Sequence, residues 1–184
     1  MNIFERFLLS REVTVREGEI TLDQQRVIML PVNFIASYTL KLANDKAEGR
    51  KLYEAMKKGM FAFSIPLGKA YGLSYKDFLD RWIKYNAFAG WGIVEYQLIE
   101  TDTTRGFLTY KNLTLHLYLK GKGITEHSDR LLEGIIAGAL SSTFKVDIDA
   151  VETKCVCSGN DVCVFYWGPR SYLRKEFPEL ISKW

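Results

Sequence analysis

All three cysteines of this 184-residue chain lie in one short stretch near its carboxyl terminus, at Cys155, Cys157 and Cys163. Alternating apolar residues around them predict a β-hairpin over residues 147–167, with the Ser-Gly-Asn sequence of residues 158–160 as a three-residue loop. In that hairpin Cys155 lies directly opposite Cys163, and cross-strand β-carbons are roughly 4.5–5.5 Å apart. Two sulfurs at this distance can share one metal ion or form a disulfide. A four-residue loop would separate them, so the prediction depends on the loop length.

A zinc ion in this hairpin would need two further ligands, because structural zinc sites are usually closed and four-coordinate. Glu152 is the nearest candidate, although three positions along a straight strand place it and Cys155 on opposite faces. A bulge at residues 153–154, or an ion held at the strand's edge, would bring the two together. The fourth ligand must come from elsewhere, and the start of a predicted helix offers His127 and Asp129. Each residue also has a simpler explanation, such as a carboxylate that complements the helix dipole or a thiol that fills the core.

The order of the predicted elements favours an α+β domain, with strands, then helices, then antiparallel strands around a single helix. The predicted strands cover residues 13–15, 20–22, 27–30, 93–100, 107–110 and 113–119. The predicted helices cover residues 33–43, 47–71 and 128–144, with another that Ser74 caps and Gly90 closes. Pro66 should kink or end the long helix in which it lies.

Two details of these elements bear on packing. Leucines at alternate positions from Leu113 to Leu119 predict a strand with one apolar face. His116 lies on the opposite face of that strand and has no obvious partner there. In the last predicted helix, Gly134 and Gly138 are four residues apart, and their lack of side chains lets the helix backbone approach a neighbour closely.

Charge and hydropathy exclude several classes of protein. The chain has 25 basic and 22 acidic residues, scattered along its length, for a formal net charge of +3. Nucleic-acid binders usually concentrate positive charge on one face or arm, so we expect no nucleic-acid partner. No apolar run approaches the roughly 20 residues that cross a bilayer, and charges interrupt the apolar stretches at the amino terminus, which is atypical of a signal peptide. We therefore expect a cytoplasmic protein without a membrane span.

Aromatic residues are abundant, with 11 Phe, 10 Tyr and 4 Trp. Such side chains build a core, and they also suit an apolar pocket for a small molecule. The predicted walls of the pocket are Phe61, Phe63, Trp82, Tyr85, Phe88 and Trp91. Core packing is the simpler explanation for any one of them.

The motif Glu152-x2-Cys155-x7-Cys163 resembles that of the 4-vinyl reductase domain family. Weaker similarity upstream extends the resemblance over residues 20–168. The resemblance implies a fold shared with small subunits of the TRAPP vesicle-tethering complex, in which helices pack on an antiparallel sheet and protomers commonly dimerise.

The resemblance also implies zinc as a cofactor. In aromatic-sensing bacterial transcription activators, the related portion holds zinc through Cys, Glu and two further Cys, beside a pocket for small aromatic molecules. Glu152, Cys155 and Cys163 match three of these ligands. The remaining Cys would fall at Asp129, where this sequence departs from the pattern. Either Asp129 or His127 would then replace it, since zinc accepts carboxylate oxygen and imidazole nitrogen.

These observations divide the chain into three predicted parts. Residues 1–30 form amino-terminal strands and a dimerisation segment, residues 20–168 form the domain similar to 4-vinyl reductases, and residues 169–184 form a tail. Cys157 has no counterpart in the family pattern, and we interpret it as a small apolar residue near the turn.

The leading functional prediction is a homodimeric sensory module that binds a small hydrophobic or aromatic molecule, has a structural zinc site and acts through an unknown protein partner. A closed four-ligand zinc has no open position for a substrate, and the sequence has no phosphate loop or nucleophile elbow. One alternative is a dimeric interaction scaffold without a ligand. Another is an enzyme acting on a tetrapyrrole or related vinyl compound. A large closed cavity would favour the sensor, and a solid core with a broad apolar outer face would favour the scaffold. An open metal position or a bound nucleotide would favour the enzyme.

Overall fold

The computed structural model describes residues 13–22, 25–43, 45–71, 74–99, 104–125 and 129–182. Contacts divide the chain into two units, Met1–Pro31 and Val32–Trp184. The smaller unit contains an antiparallel sheet of three strands, β1 (Val13–Arg16), β2 (Glu19–Leu22) and β3 (Gln25–Val27). Gly18, with φ of 72°, makes the predicted turn between the first two strands. Residues 1–12 of the predicted dimerisation segment lie outside the described residues.

The described residues of the larger unit form seven helices and a four-stranded antiparallel sheet, so the predicted α+β class is confirmed. Its helices are α1 (Val32–Ala43), α2 (Lys46–Tyr71), α3 (Tyr75–Phe88), α4 (Thr114–Gly121), α5 (Arg130–Phe144), α6 (Arg170–Glu176) and α7 (Pro178–Ile181). Its strands are β4 (Ile93–Leu98), β5 (Gly106–Lys111), β6 (Asp149–Lys154) and β7 (Cys163–Gly168), in the spatial order β4-β5-β7-β6. Within the described ranges, no helix is both long and apolar enough to cross a membrane.

Helix α5 is the central element of the larger unit, and two glycines let α2 pack closely against it. A β-carbon added at Gly134 would lie 2.5 Å from the carbonyl oxygen of Tyr53, and one at Gly138 would collide with the carbonyl oxygen of Lys57. The predicted close helix approach is therefore confirmed, with α2 as the neighbour.

Polar contacts fasten α2 to the start of β6. The hydroxyl of Tyr53 donates a hydrogen bond of 2.6 Å to the carboxylate of Asp149, which is buried. The Lys57 ammonium lies 2.7 Å from the same carboxylate. Because β6 begins the hairpin that carries the cysteines, these contacts help to fix the hairpin relative to the helices.

The segment after β7, predicted only as a tail, forms the two short helices α6 and α7. Leu173 and Ile181 from these helices are buried against Val151 of β6, with Tyr166 and Phe177 packed around them. These contacts cover one face of the sheet.

The predicted strand over residues 113–119 is wrong, because these residues form helix α4. Leu115, His116 and Leu119 are buried at helical spacing, whereas Leu117 is 46% exposed. A strand would have placed all the leucines on one face. Asn112, with φ of 55°, turns the chain away from β5 just before the helix.

Other boundaries also differ from the prediction. The third strand covers Gln25–Val27 rather than residues 27–30. Pro66 does not end α2, which continues to Tyr71. The β6–β7 connection is not a three-residue loop, since β6 ends at Lys154 and β7 begins at Cys163. A short 3-10 turn, Val156–Ser158, occupies part of this longer connection.

Candidate metal centre

A β-bulge in β6 re-aims the side chain of Glu152. Glu152 pairs with Phe165, but the next paired position is Lys154 with Val164, so Thr153 is the extra residue. The bulge was one of the two arrangements predicted to bring Glu152 and Cys155 together.

Buried Glu133 of α5 supports this bulge. Its carboxylate accepts a hydrogen bond of 2.8 Å from the backbone N–H of Glu152, and its other oxygen lies 2.7 Å from the Arg130 guanidinium. Burial raises the pKa of Glu133 to about 7, against the lowering effect of Arg130. The contact ties the backbone of the bulge to the central helix.

The turn after β6 folds around Cys155 rather than continuing the ladder. The carbonyl oxygen of Cys155 accepts hydrogen bonds from the backbone N–H groups of Ser158, at 3.1 Å, and Asn160, at 3.3 Å. The backbone N–H of Val156 points to the sulfur of Cys163, 3.4 Å away. The sulfurs of Cys155 and Cys163 therefore come close together in spite of the longer connection.

His116, which helix α4 places in the core, completes the group. Its Nδ1 lies 3.1 Å from the sulfur of Cys163, 3.2 Å from the sulfur of Cys155 and 3.3 Å from Oε1 of Glu152. All four residues are buried, and one ligand atom from each lies within 4.8 Å of the others.

These distances fit a small four-coordinate metal ion. Ligand atoms bound to tetrahedral zinc at about 2.0–2.3 Å are about 3.3–3.8 Å apart. The contacts of His116 Nδ1 are close to this range. Two sulfurs, one imidazole nitrogen and one carboxylate oxygen are all donors that zinc accepts.

The carboxylate of Glu152 gives independent support for a cation. Both of its oxygens are buried, and within the described part of the chain neither has a hydrogen-bond partner. An unpaired buried carboxylate is strongly unfavourable, and such groups are normally paired or bound to a metal. Burial raises the pKa of Glu152 well above its ordinary value. The described ion pair with His116, 3.3 Å from Oε1, leaves both oxygens without a hydrogen bond, and a metal ion would supply a stronger positive partner.

One cysteine of the pair already has thiolate character. The S–H of Cys163 donates a hydrogen bond to Cys155, which lowers the pKa of Cys155 to about 3 despite its burial, and neighbouring His116 adds to the effect. The same hydrogen bond and burial raise the pKa of Cys163. The thiolate is the form that binds metal, and a divalent ion favours it at both positions.

The third cysteine lies beside the group without joining it. The S–H of Cys157 donates to the backbone carbonyl of His116 at 3.3 Å. Burial and the neighbouring Cys155 raise the pKa of Cys157 to about 12. Cys157 thus anchors the turn to α4 as a neutral thiol.

The structure brings together three of the five predicted metal ligands, Glu152, Cys155 and Cys163. Asp129 lies on the far side of the imidazole, with Oδ2 2.8 Å from Nε2 of His116. His127 lies outside the described residues. Sequence reasoning missed His116 because the strand prediction gave it no partner.

The predicted aromatic pocket is a narrow crevice between α2 and α3. Phe63, Trp82 and Tyr85 line it together with Met60, Phe78 and Arg81, and its volume is about 10 Å³. That volume holds about one water molecule, so an aromatic ring enters only if these side chains move. Among these lining side chains, Arg81 Nε donates a hydrogen bond of 2.7 Å to the hydroxyl of Tyr85.

The other three predicted pocket residues lie elsewhere. Phe61 is 39% exposed and lines an open cleft of about 670 Å³ beside Lys57 and Asp147. Phe88 and Trp91 are half-buried at the end of α3 and in the turn that follows.

No family model matches the sequence, and no curated protein matches it. Solved structures do match. The chain is similar to the phenol-responsive sensory domain of the transcription activator PoxR, crystallised with phenol, with a TM-score of 0.74 and 17% identity over 96% of this chain and 94% of that one. It is also similar to a vinyl-4-reductase family protein from Methanocaldococcus jannaschii, with a TM-score of 0.51 and 16% identity over 77% of this chain and 82% of that one.

A third similar structure is a trafficking protein particle complex subunit 3 from Naegleria fowleri, covalently bound to palmitic acid. Its TM-score is 0.54, with 17% identity over 74% of this chain and 89% of that one. The resemblance of fold that the carboxyl-terminal motif implied is therefore confirmed.

Proposed function

We propose that this protein is a cytoplasmic sensory module for a small hydrophobic or aromatic molecule. The support is a fold shared with a phenol-responsive sensory domain over 96% of the chain. A structural zinc ion bound by His116, Glu152, Cys155 and Cys163 stabilises it. The module acts through a protein partner. The observation that supports the zinc site is the buried group of four residues itself. Within the described residues, neither carboxylate oxygen of Glu152 has a hydrogen-bond partner.

The ligand set favours a structural role for the zinc. Four protein ligands close a tetrahedral site and leave no position for a substrate. The ligands come from α4, from the bulge in β6, from the turn after it and from the first residue of β7. A single ion therefore cross-links α4 to the hairpin, where the described chain has no disulfide.

The crevice between α2 and α3 is the proposed ligand site. Its walls are aromatic or apolar, apart from the hydrogen-bonded pair Arg81 and Tyr85. This combination suits a ring with one polar substituent, because the walls contact the ring and the pair offers both a donor and an acceptor. Because the crevice is narrow, we expect binding to displace Trp82 or Phe63 and to change tryptophan fluorescence.

Phenol titration followed by calorimetry and tryptophan fluorescence tests this site. We expect saturable binding, and we expect Tyr85→Phe to weaken it about 10-fold, since a lost hydrogen bond costs about 1–1.5 kcal/mol. Tyr75→Phe is the matched control, because Tyr75 lies on the same helix but is 44% exposed. Absence of saturable binding, or equal affinities for the two variants, would argue against this crevice.

We propose that a second copy of the chain packs against one apolar face of α1. Phe34 and Tyr38 lie one turn apart on α1 and are 64% and 52% exposed. Large exposed apolar side chains that cluster on one face are typical of an interface. This observation also favours the alternative function, a dimeric interaction scaffold without a ligand, and the phenol titration separates the two.

A further inference from the structure

We infer that Asp129 is a positioning residue that holds the His116 imidazole in the tautomer whose Nδ1 can bind the metal. This inference rests on the proposed zinc site. Asp129 is fully buried, and its Oδ2 lies 2.8 Å from Nε2 of His116. The sulfurs and the Glu152 carboxylate face the other ring nitrogen, Nδ1.

The chemistry of the two groups fixes the position of the proton. An ionised carboxylate only accepts hydrogen bonds, so Nε2 must carry the hydrogen. A neutral imidazole has one N–H, so when a metal ion takes the place of a proton at Nδ1, the remaining N–H lies on Nε2 and faces Asp129. Carboxylates behind metal-bound histidines commonly fix the tautomer and ring orientation in this way.

Asp129 is itself held rigidly by the helix that it caps. Its Oδ1 accepts a hydrogen bond of 2.9 Å from the backbone N–H of Leu132 in the first turn of α5. One carboxylate thus links the central helix to the imidazole on α4. Asp129 contributes to the site through His116, and it does not compete as a ligand because it lies beyond the ring.

Asp129→Asn tests the inference with little change in shape. Asparagine is an equally good N-cap, and its oxygen can keep the bond to Leu132. Its amide nitrogen then faces Nε2 as a donor, which favours the proton on Nδ1 and blocks the ligand atom. We expect zinc affinity, measured by competition with a chromophoric chelator, to fall about 10–100-fold. The unfolding midpoint of the metal-free protein should change little.

Asp77→Asn is the matched control, because Asp77 lies in the first turn of α3 and contacts Ser74. Asp129→Ser is a second variant that keeps a capping oxygen but removes the partner of Nε2, and we expect an intermediate loss of affinity. Nitrogen NMR of the zinc-loaded wild-type protein reports the tautomer directly, since the chain has only two histidines.

Equal zinc affinity in Asp129→Asn and Asp77→Asn would overturn the inference, as would a proton on Nδ1 of His116 in the zinc-loaded wild type. If the wild-type protein binds no zinc, the proposed site fails and the inference fails with it. The first outcome leaves the zinc site intact, and the second removes only His116 from it, so these failures are distinguishable from the absence of zinc. If Asp129→Asn does not fold, Asp129→Ser and the NMR measurement decide the question.

Discussion

Cys155→Ser should lower the zinc content and the thermal unfolding midpoint of the protein together. The serine hydroxyl stays protonated at neutral pH, so the site loses a thiolate ligand. A ligand present at about 1,000 times its Kd stabilises the folded state by about 4 kcal/mol. In a chain of this length each kcal/mol shifts the midpoint by about 2–4 °C. Loss of the metal should therefore lower the midpoint by roughly 8–16 °C.

Cys157→Ser is the control for Cys155→Ser. Cys157 is also buried in the same turn, but it is not one of the four grouped residues, and its S–H donates to the backbone carbonyl of His116. We expect it to keep its zinc, with a smaller change in the midpoint. Full zinc occupancy in Cys155→Ser would remove Cys155 from the site. Equal midpoint losses without loss of metal would mean that both serines act only through core packing.

Gly138→Ala should destabilise the protein by about 1–3 kcal/mol, because overpacking a tight contact forces the backbone to shift. The new methyl group would collide with the carbonyl oxygen of Lys57 and lie 2.9 Å from the backbone nitrogen of Phe61. Both contacts belong to α2, so the two helices would have to move apart. Chemical denaturation of the metal-loaded protein measures the effect.

Gly59→Ala is the matched control, since Gly59 lies within α2 and a β-carbon there would meet nothing within 4 Å. Alanine is the better helix former, so Gly59→Ala should stabilise the protein by about 0.5–1 kcal/mol. The two substitutions are thus expected to have opposite signs. A stabilising Gly138→Ala would contradict the close packing of α2 against α5.

Local sequence patterns were sufficient for several features of the fold. The spacing of Gly134 and Gly138 predicted the close helix contact because only the absence of a side chain at both positions permits it. The odd spacing of Glu152 and Cys155 showed that a straight strand could not bring them together, and a bulge at Thr153 is one solution that was predicted. Ser74, predicted as the cap of α3, accepts the expected hydrogen bond from the backbone of Asp77.

His116 could not be found in the same way. Alternating leucines predicted a strand, but leucine is a strong helix former, and Thr114 is the only β-branched residue from Leu113 to Leu119. That composition was the available signal for a helix. The proposed metal-ligand role also depends on a contact between elements far apart in sequence, since His116 lies 47 residues before Cys163.

The proposed ligand site was predicted only in part. Aromatic composition identified Phe63, Trp82 and Tyr85 at the crevice, but it did not separate them from exposed Phe61. Arg81, the polar lining residue, was not predicted, because a single charged residue on a helix usually faces solvent. Its role depends on the packing of α3 against α2, which the sequence does not encode locally.

Elemental analysis of the purified, reduced protein, combined with native mass spectrometry, tests the central claim most directly. We expect one zinc ion per chain and, for the proposed dimer, the mass of two chains. The contradicting result is a folded protein, with all three thiols reduced, that carries no stoichiometric divalent metal even after incubation with zinc. In that case His116, Glu152, Cys155 and Cys163 do not form a metal site.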